Sequence, residues 1–398
     1  MIAIRVSLRL PDGETVPCGE ILCEEPDYRG YIYGEFRYHS TYLNHHSAFP
    51  LDPISLPLKT SVFESIRPSG IAGVFEDSLP DDWGRRLLVK KHRLPRGRQN
   101  APGMLAVLGS SGLGSLSYID KNKKEPETFA PITSLNQLLH AAERFETGYY
   151  RDDDEIAALL KAGSSPGGAR PKVLVQDDNA ALWIAKFPSV KDHYSIVPIE
   201  YVTMKLAEKA GIKIPELKLV DCGGRKVLLV KRFDVSEKNG RYHMISFQTL
   251  LKADNWYNLS YRDLASVVRK YSFKPETDIE ALYRQMVFNA IIGNTDDHLK
   301  NFLMLHTDEG FCLSPAYDLL PDVNDARHHV LNFEFDPKFP GRELLVRIGK
   351  RSFGVSSAEN ICDEVIAAVK TWNEDFLDIG IPEAEIIRLS GKIDPHLS

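Results

Sequence analysis

Gly293-Asn-Thr-Asp-Asp-His-Leu-Lys-Asn301, followed by Ser314-Pro-Ala-Tyr-Asp318, is the stretch on which the fold class turns. It comes directly after a run containing Leu282, Met286, Val287, Ala290 and Ile291, whose apolar density predicts a buried helix. Asp296 and Asn301 are five apart with Lys300 between them, and Asp318 lies seventeen residues after Asn301, past a predicted hairpin. Asx-rich helix caps and turns share this composition, because Asn and Asp favour such positions. The segment therefore has to be weighed with the rest of the chain.

Phosphoryl transfer from ATP needs few parts. A carboxylate accepts the hydroxyl proton, an amide oxygen and a second carboxylate hold Mg²⁺, and a cation steadies the phosphates. Asp296, Asn301, Asp318 and Lys300 match that inventory, and the D-x4-N spacing is that of a protein-kinase catalytic loop.

Upstream, Lys186 sits in Leu182-Trp-Ile-Ala-Lys-Phe187, a predicted strand, and Glu200 opens the next helix. A strand Lys paired with a helix Glu orients the α- and β-phosphates in kinases. Glu208 is a second candidate partner, and a solvated Lys with a first-turn Glu would read the same way. Gly163-Ser-Ser-Pro-Gly-Gly-Ala-Arg-Pro-Lys172 can offer backbone N–H groups to phosphate oxygens, although it lacks the Walker order. Gly163 to Gly167 also fits G-x-S-x-G. That elbow needs a strand before its Ser and a helix after it, and here the context is inverted.

Further out, the signals are structural. Asp81 to His92 predicts a helix, with Asp81 and Asp82 in its first turn and Lys90, Lys91 and His92 in its last. Lys121-Asn-Lys-Lys-Glu-Pro-Glu127 is the most linker-like stretch, and a domain boundary is expected near it. Gly109 to Gly114 lacks dinucleotide spacing and is read as a flexible turn. The His45-His46 and His328-His329 pairs are poor chelates, since neighbouring side chains diverge. Beyond about residue 245 the chain reads as mostly helical, with a capping box at Ser356-Ser-Ala-Glu359 opening a helix through Trp372. From residue 160 onward the order is glycine-rich loop, strands, one helix, strands, then helices. That order predicts an α+β, two-lobed organisation.

At 398 residues the chain has room for two to three domains of roughly 150 residues each. A hydrophobic share of 43% rules out disorder as the main state. A net charge of −6 disfavours independent DNA binding, which calls for a basic face. No stretch approaches the roughly 18 apolar residues of a membrane span, and the alternating N-terminus reads as a strand, not a signal peptide. Five cysteines without CxxC spacing predict free thiols in a reducing cytoplasm, hence a cytoplasmic protein with no membrane partner.

Taken together, Ser164-Ser-Pro-Gly-Gly-Ala-Arg-Pro-Lys172, Leu229-Val-Lys-Arg-Phe-Asp234, the Gly293–Asn301 loop and Ala316-Tyr-Asp-Leu-Leu-Pro321 resemble the HipA family of bacterial toxin kinases. Phe75-Glu-Asp-Ser-Leu-Pro-Asp-Asp-Trp-Gly84 is similar to that family's N-terminal region. The resemblance implies a two-lobed, protein-kinase-like fold with an extra N-terminal β-rich subdomain (residues 1–130), a nucleotide lobe (131–235) and an all-helical C-terminal lobe (236–398). It implies a Ser/Thr protein kinase using ATP and Mg²⁺, and a toxin encoded beside a HipB-like helix-turn-helix antitoxin. DNA would be reached only through that antitoxin. The protein acceptor would be a translation component such as an aminoacyl-tRNA synthetase.

By the same resemblance, Asp296 is the catalytic base, with His298 and Lys300 lining its loop, and Asn301 and Asp318 bind Mg²⁺. Lys186, oriented by Glu200, binds ATP phosphates. Ser164, Ser165, Gly167, Gly168, Ala169 and Lys172 form the nucleotide loop. Lys231 and Phe233 lie at the adenine through backbone, with Asp234 nearby. Ser165, or alternatively Ser164, is the autophosphorylated residue. The family's adenine-strand Glu is Lys231 here, which a backbone contact would survive. A catalytically weak co-repressor module and a small-molecule kinase are the competing expectations.

Overall fold

The computed structural model describes the chain except for Ile66 and residues 120–128, 163–169, 254–257, 324, 327 and 398. The N-terminal part is an antiparallel sheet of β1 (Ile2–Arg9), β2 (Thr15–Cys23), β3 (Gly34–Tyr38), β4 (Val62–Glu64) and β5 (Leu116–Ile119), in the order β4-β3-β2-β1-β5. Alternation along β1 sends Ile4, Val6 and Leu8 into the core and leaves Arg5 in solvent. A turn at Asp12-Gly13 links β1 to β2, with Gly13 at φ +94° and Glu14 N–H donating to the Asp12 carboxylate. The helix expected after Pro80 runs over Asp82–His92 and stops at Arg93, which is left-handed at φ +49°.

A second sheet joins β6 (Ala130–Pro131), β7 (Lys172–Gln176), β8 (Leu182–Lys186), β9 (Leu217–Cys222) and β10 (Arg225–Lys231), in the order β6-β7-β8-β10-β9. The Ile196–Lys209 helix lies between β8 and β9 in sequence. It buries Ile199, Val202 and Leu206 on one face. The third part is dominated by the Pro275–Ile292 helix, which buries twelve residues and has the apolar character required of a helix enclosed on most sides.

Two elements differ from expectation. The lobe beyond residue 236 carries a sheet as well as helices: β11 (His243–Ser246), β12 (Leu303–Thr307) and β13 (Gly310–Leu313) pair in that order. The β12–β13 hairpin is local, but β11 is recruited from about sixty residues upstream by long-range backbone pairing, such as Met244 opposite Leu305. Local periodicity does not report such pairing. The capping box at Ser356–Glu359 does not form either. The helix spans Ala358–Val369 without a side-chain cap. The chain breaks before Trp372–Asp378, where Thr371 Oγ1 donates to the Ala368 carbonyl and to Asp375.

One apolar core runs from Ile4, Val6 and Phe75 through Phe247 into Met286, Val287 and Ile361. It therefore joins the N-terminal subdomain to the helical lobe. A separate core under the second sheet contains Leu138, Val173 and Trp183, together with Trp83 from the N-terminal part.

Candidate active site

The Pro275–Ile292 helix ends at Gly293, whose φ of +74° releases the chain into the Asn294–Asn301 loop. Asp296 leaves that loop toward solvent, with 76% of its side chain exposed. Its backbone carbonyl accepts from Asn301 Nδ2 at 2.8 Å, which directs the Asn301 amide oxygen elsewhere. His298 Nε2 lies 3.9 Å from Asp296 Oδ1, and Lys300 Nζ lies 3.3 Å from Asp81 Oδ1 in the N-terminal subdomain. After the β12–β13 hairpin the chain reaches Asp318, a non-glycine residue held at φ +54°. The preceding Tyr317 hydroxyl donates to the Lys300 carbonyl at 2.6 Å. Loop and Asp318 are thereby tied together.

Lys186 comes from the end of β8 and is 12% exposed. Its ammonium donates to Glu200 Oε1 at 2.5 Å and also to the Asp318 carboxylate. The expected strand-Lys and helix-Glu pair is thus present, and Glu200 fills the partner role. Glu208 pairs instead with Lys205 on its own helix. Lys172 faces Lys186 across the β7–β8 register. It is 5% exposed and has no hydrogen-bond or ion-pair partner among the described residues. Its main opposing charges are Asp318 and Glu200, which act on it across the cleft. Ser164, Ser165, Gly167, Gly168 and Ala169 lie outside the described residues.

At the end of β10, Lys231 turns its side chain away. Nζ pairs with Glu216 at 2.8 Å and stands 5.9 Å from the Trp183 ring centre. Phe233 meets Tyr317 with ring centres 5.7 Å apart, closing the cleft between the lobes. Asp234, in the same wall of the cleft, is engaged by its neighbours. Its carboxylate is taken by the buried Arg232 guanidinium, at 2.5 and 3.0 Å, and by Gly114 N–H at 2.7 Å. The Gly112–Gly114 turn, read from sequence as flexible, is pinned to the lobe junction by that carboxylate and by Arg232 donating to the Gly112 carbonyl.

Charge separation in the cleft follows from burial and neighbours. Burial alone would push the Lys186 ammonium down, but Asp318 and Glu200 outweigh it and hold it above the ordinary lysine range. Burial likewise works against ionised Asp318, and Lys186 with Lys172 overcomes it, keeping that carboxyl below the usual range. Lys172 is pushed down, chiefly by burial and then by Lys186, with Asp318 opposing. Asp296 is pushed up. Water reaches its side chain, yet the cleft walls surround it, and Asp318 and Asp297 add repulsion that His298 and Arg170 only partly offset.

The cleft encloses about 520 Å³ and gathers Lys172, Lys186, Glu200, Lys231, Phe233, Asp234, Asp296, His298, Lys300, Asn301 and Asp318. The described part of the expected site is therefore one site. Sequence reasoning missed the wall supplied by the N-terminal subdomain, including Asp77, Asp81, Gly112 and Leu113. It also missed Arg232 and Asp297. Adjacency to Asp296 was the only sequence signal for Asp297. A second cavity of about 540 Å³ lies at the seam between the N-terminal sheet and β11–β12, and contains none of the expected residues.

Comparison with known proteins agrees with this geometry. The model of the HipA-like C-terminal domain matches residues 164–372, and that of the HipA N-terminal domain matches residues 23–119. The chain is 27% identical over 349 residues to Y4mE of Sinorhizobium fredii, a protein provisionally named a kinase, covering 79% of this chain and 76% of that one. It is 24% identical over 322 residues to the serine/threonine-protein kinase toxin HipA of Shewanella oneidensis, covering 73% and 72%. A solved Shewanella oneidensis HipA, in complex with HipB and operator DNA, superposes with a TM-score of 0.71 at 19% identity, covering 98% of this chain and 96% of that one. The fold is accordingly two-lobed and kinase-like with an added N-terminal subdomain. With a family model spanning more than half of the sequence, this chain belongs to the HipA family.

Proposed function

We propose that this chain is an ATP-dependent Ser/Thr protein kinase and the toxin of a HipBA-like system. The observation that carries the proposal is the Lys186 bridge to Glu200 and Asp318, with the buried Lys172 beside it. Two lysines side by side, one of them oriented by carboxylates, suit the phosphates of a nucleotide. Asp318 and the undirected amide oxygen of Asn301 fit Mg²⁺, which prefers hard oxygen ligands. When bound there, Mg²⁺ would supply charge neutralisation at the transferring phosphoryl group.

The remaining chemistry belongs to the chain. Asp296 accepts the proton of a Ser or Thr hydroxyl as that oxygen bonds to the γ-phosphorus, and the bond to the bridging oxygen breaks to release ADP. Lys186 and Lys172 hold the phosphates in line. Lys300, kept near the loop by Asp81, balances charge at the transferring group. Lys231 and Phe233 offer backbone at the adenine end. Ser165, or alternatively Ser164, is proposed as an autophosphorylation site, where a phosphate of about −1.5 to −2 charge would repel a bound nucleotide. A HipB-like antitoxin is the proposed partner, because the solved relative carries HipB and operator DNA. With a net charge of −6, presence at an operator would depend on that partner. A translation component such as an aminoacyl-tRNA synthetase is the proposed acceptor.

Incubation with ATP and Mg²⁺ followed by mass spectrometry tests this. Phosphate on Ser164 or Ser165 is expected, and Asp296→Gln should lower the transfer rate about 10²–10⁴-fold while retaining ATP binding. A folded, ATP-binding wild type that gains no phosphate would overturn autokinase activity. An unchanged rate in Asp296→Gln would remove Asp296 as base.

A further inference from the structure

Asp297 stands beside the proposed base and has the opposite environment. It is fully buried, and its carboxylate accepts four hydrogen bonds. Tyr261 OH donates to Oδ2 at 2.7 Å, and His329 Nδ1 lies 3.1 Å from the same oxygen. Val330 and Leu331 N–H donate to Oδ1 at 2.8 and 3.3 Å. Asn289 Nδ2 donates to the Tyr261 hydroxyl at 3.0 Å, and Asn294 Nδ2 donates to Asn289 Oδ1 at 3.1 Å. One carboxylate therefore joins the loop to the Tyr261–Tyr271 helix, to the Pro275–Ile292 helix and to the His329–Leu331 stretch.

Asp296 has no comparable side-chain anchor. Its carboxylate is exposed, and the His298 imidazole is 3.9 Å away. Its position is set by its backbone, which Asn301 Nδ2 holds at the carbonyl and Asp297 anchors from the following residue.

We infer that Asp297 is a positioning residue: its buried hydrogen bonds to Tyr261, His329, Val330 and Leu331 hold the loop so that Asp296 meets the acceptor hydroxyl. This rests on the kinase reading above. It adds that the stretch eleven to thirteen residues beyond Asp318 is mechanically part of the catalytic loop. A displacement near 1 Å in such a site can cost about 10²-fold in rate.

The test compares Asp297→Asn and Tyr261→Phe with wild type. Phosphate transfer is followed over a range of ATP concentrations, with Mg-ADP affinity measured separately and amide exchange recorded at Val330 and Leu331. Asparagine keeps the size but has a single acceptor oxygen, so it cannot serve both the phenol and imidazole on one side and the Val330 and Leu331 amides on the other. It should lower kcat about 10–100-fold, leave nucleotide affinity within about 3-fold, and accelerate exchange at both amides. Tyr261→Phe removes one of the four donors to Asp297, together with the acceptor for Asn289, and should show a smaller kcat loss with the same unchanged affinity, which keeps the test available if Asp297→Asn does not fold. Lower melting temperatures with kcat per folded molecule unchanged in both variants would reduce Asp297 to a structural residue and overturn the inference. A wild type that transfers no phosphate would instead sink the kinase reading, and this inference with it.

Discussion

Asp296 and Asp297 are chemically identical neighbours in opposite environments. One carboxylate stands at the mouth of a walled cleft, while the other is buried under four donors. The cleft walls and the nearby Asp318 and Asp297 carboxylates push Asp296 up, so its basic form is lost at a higher pH than for an ordinary aspartate. The transfer rate should therefore fall as pH drops through a value above the usual carboxylate range, about tenfold per unit below it. A pH–rate profile at saturating ATP checks this; a limb at or below the ordinary aspartate value would contradict it. Asp318 shifts the other way and stays ionised across that window, because Lys186 and Lys172 outweigh its burial. The inventory Asp296, Lys300, Asn301 and Asp318 was legible from residue type and spacing. Asp297 was not, because its four donors come from residues 32 to 36 positions away.

At the scale of elements, the end of β10 is where three parts of the chain meet. Arg232 and Asp234 form a pair with side chains 1% and 3% exposed, and both also bind the Gly112–Gly114 turn. Removing one partner of such a pair leaves an uncompensated buried charge, which costs about 3–5 kcal/mol. Arg232→Met should lose stability in that range by urea denaturation, and adding Asp234→Leu should recover part of it. A loss below about 1 kcal/mol would show that the junction does not depend on the pair. The glycine-rich turn looked flexible because its partners are more than a hundred residues away in sequence. Gly114 sits at φ +76°, where a Cβ would come within 3.3 Å of the Met244 side chain. The Leu182–Lys186 strand and the Ile196–Lys209 helix after it were each legible, since their signals are local.

Over the whole molecule, the N-terminal subdomain is continuous with the helical lobe, although the nucleotide lobe lies between them in sequence. Phe49 marks the seam, stacked on His306 at 3.6 Å between ring centres and edge-on to Phe311. Phe49→Ala should cost about 3 kcal/mol. Because the core is shared, far-UV circular dichroism and the fluorescence of Trp372 in the helical lobe should shift together. Separate transitions for the two probes would mean that the subdomain unfolds alone. By itself, the sequence determined the local elements, the α+β class and most of the polar residues that line the cleft, because propensity, periodicity and motif spacing act over a few residues. Tertiary structure decided that β11 joins the β12–β13 hairpin, that Asp81 reaches Lys300, that Asp234 serves Arg232 and Gly114, and that Asp297 anchors the loop. Each of those depends on groups brought together by burial across tens to hundreds of residues, and no local pattern encodes which buried partner a charge will find.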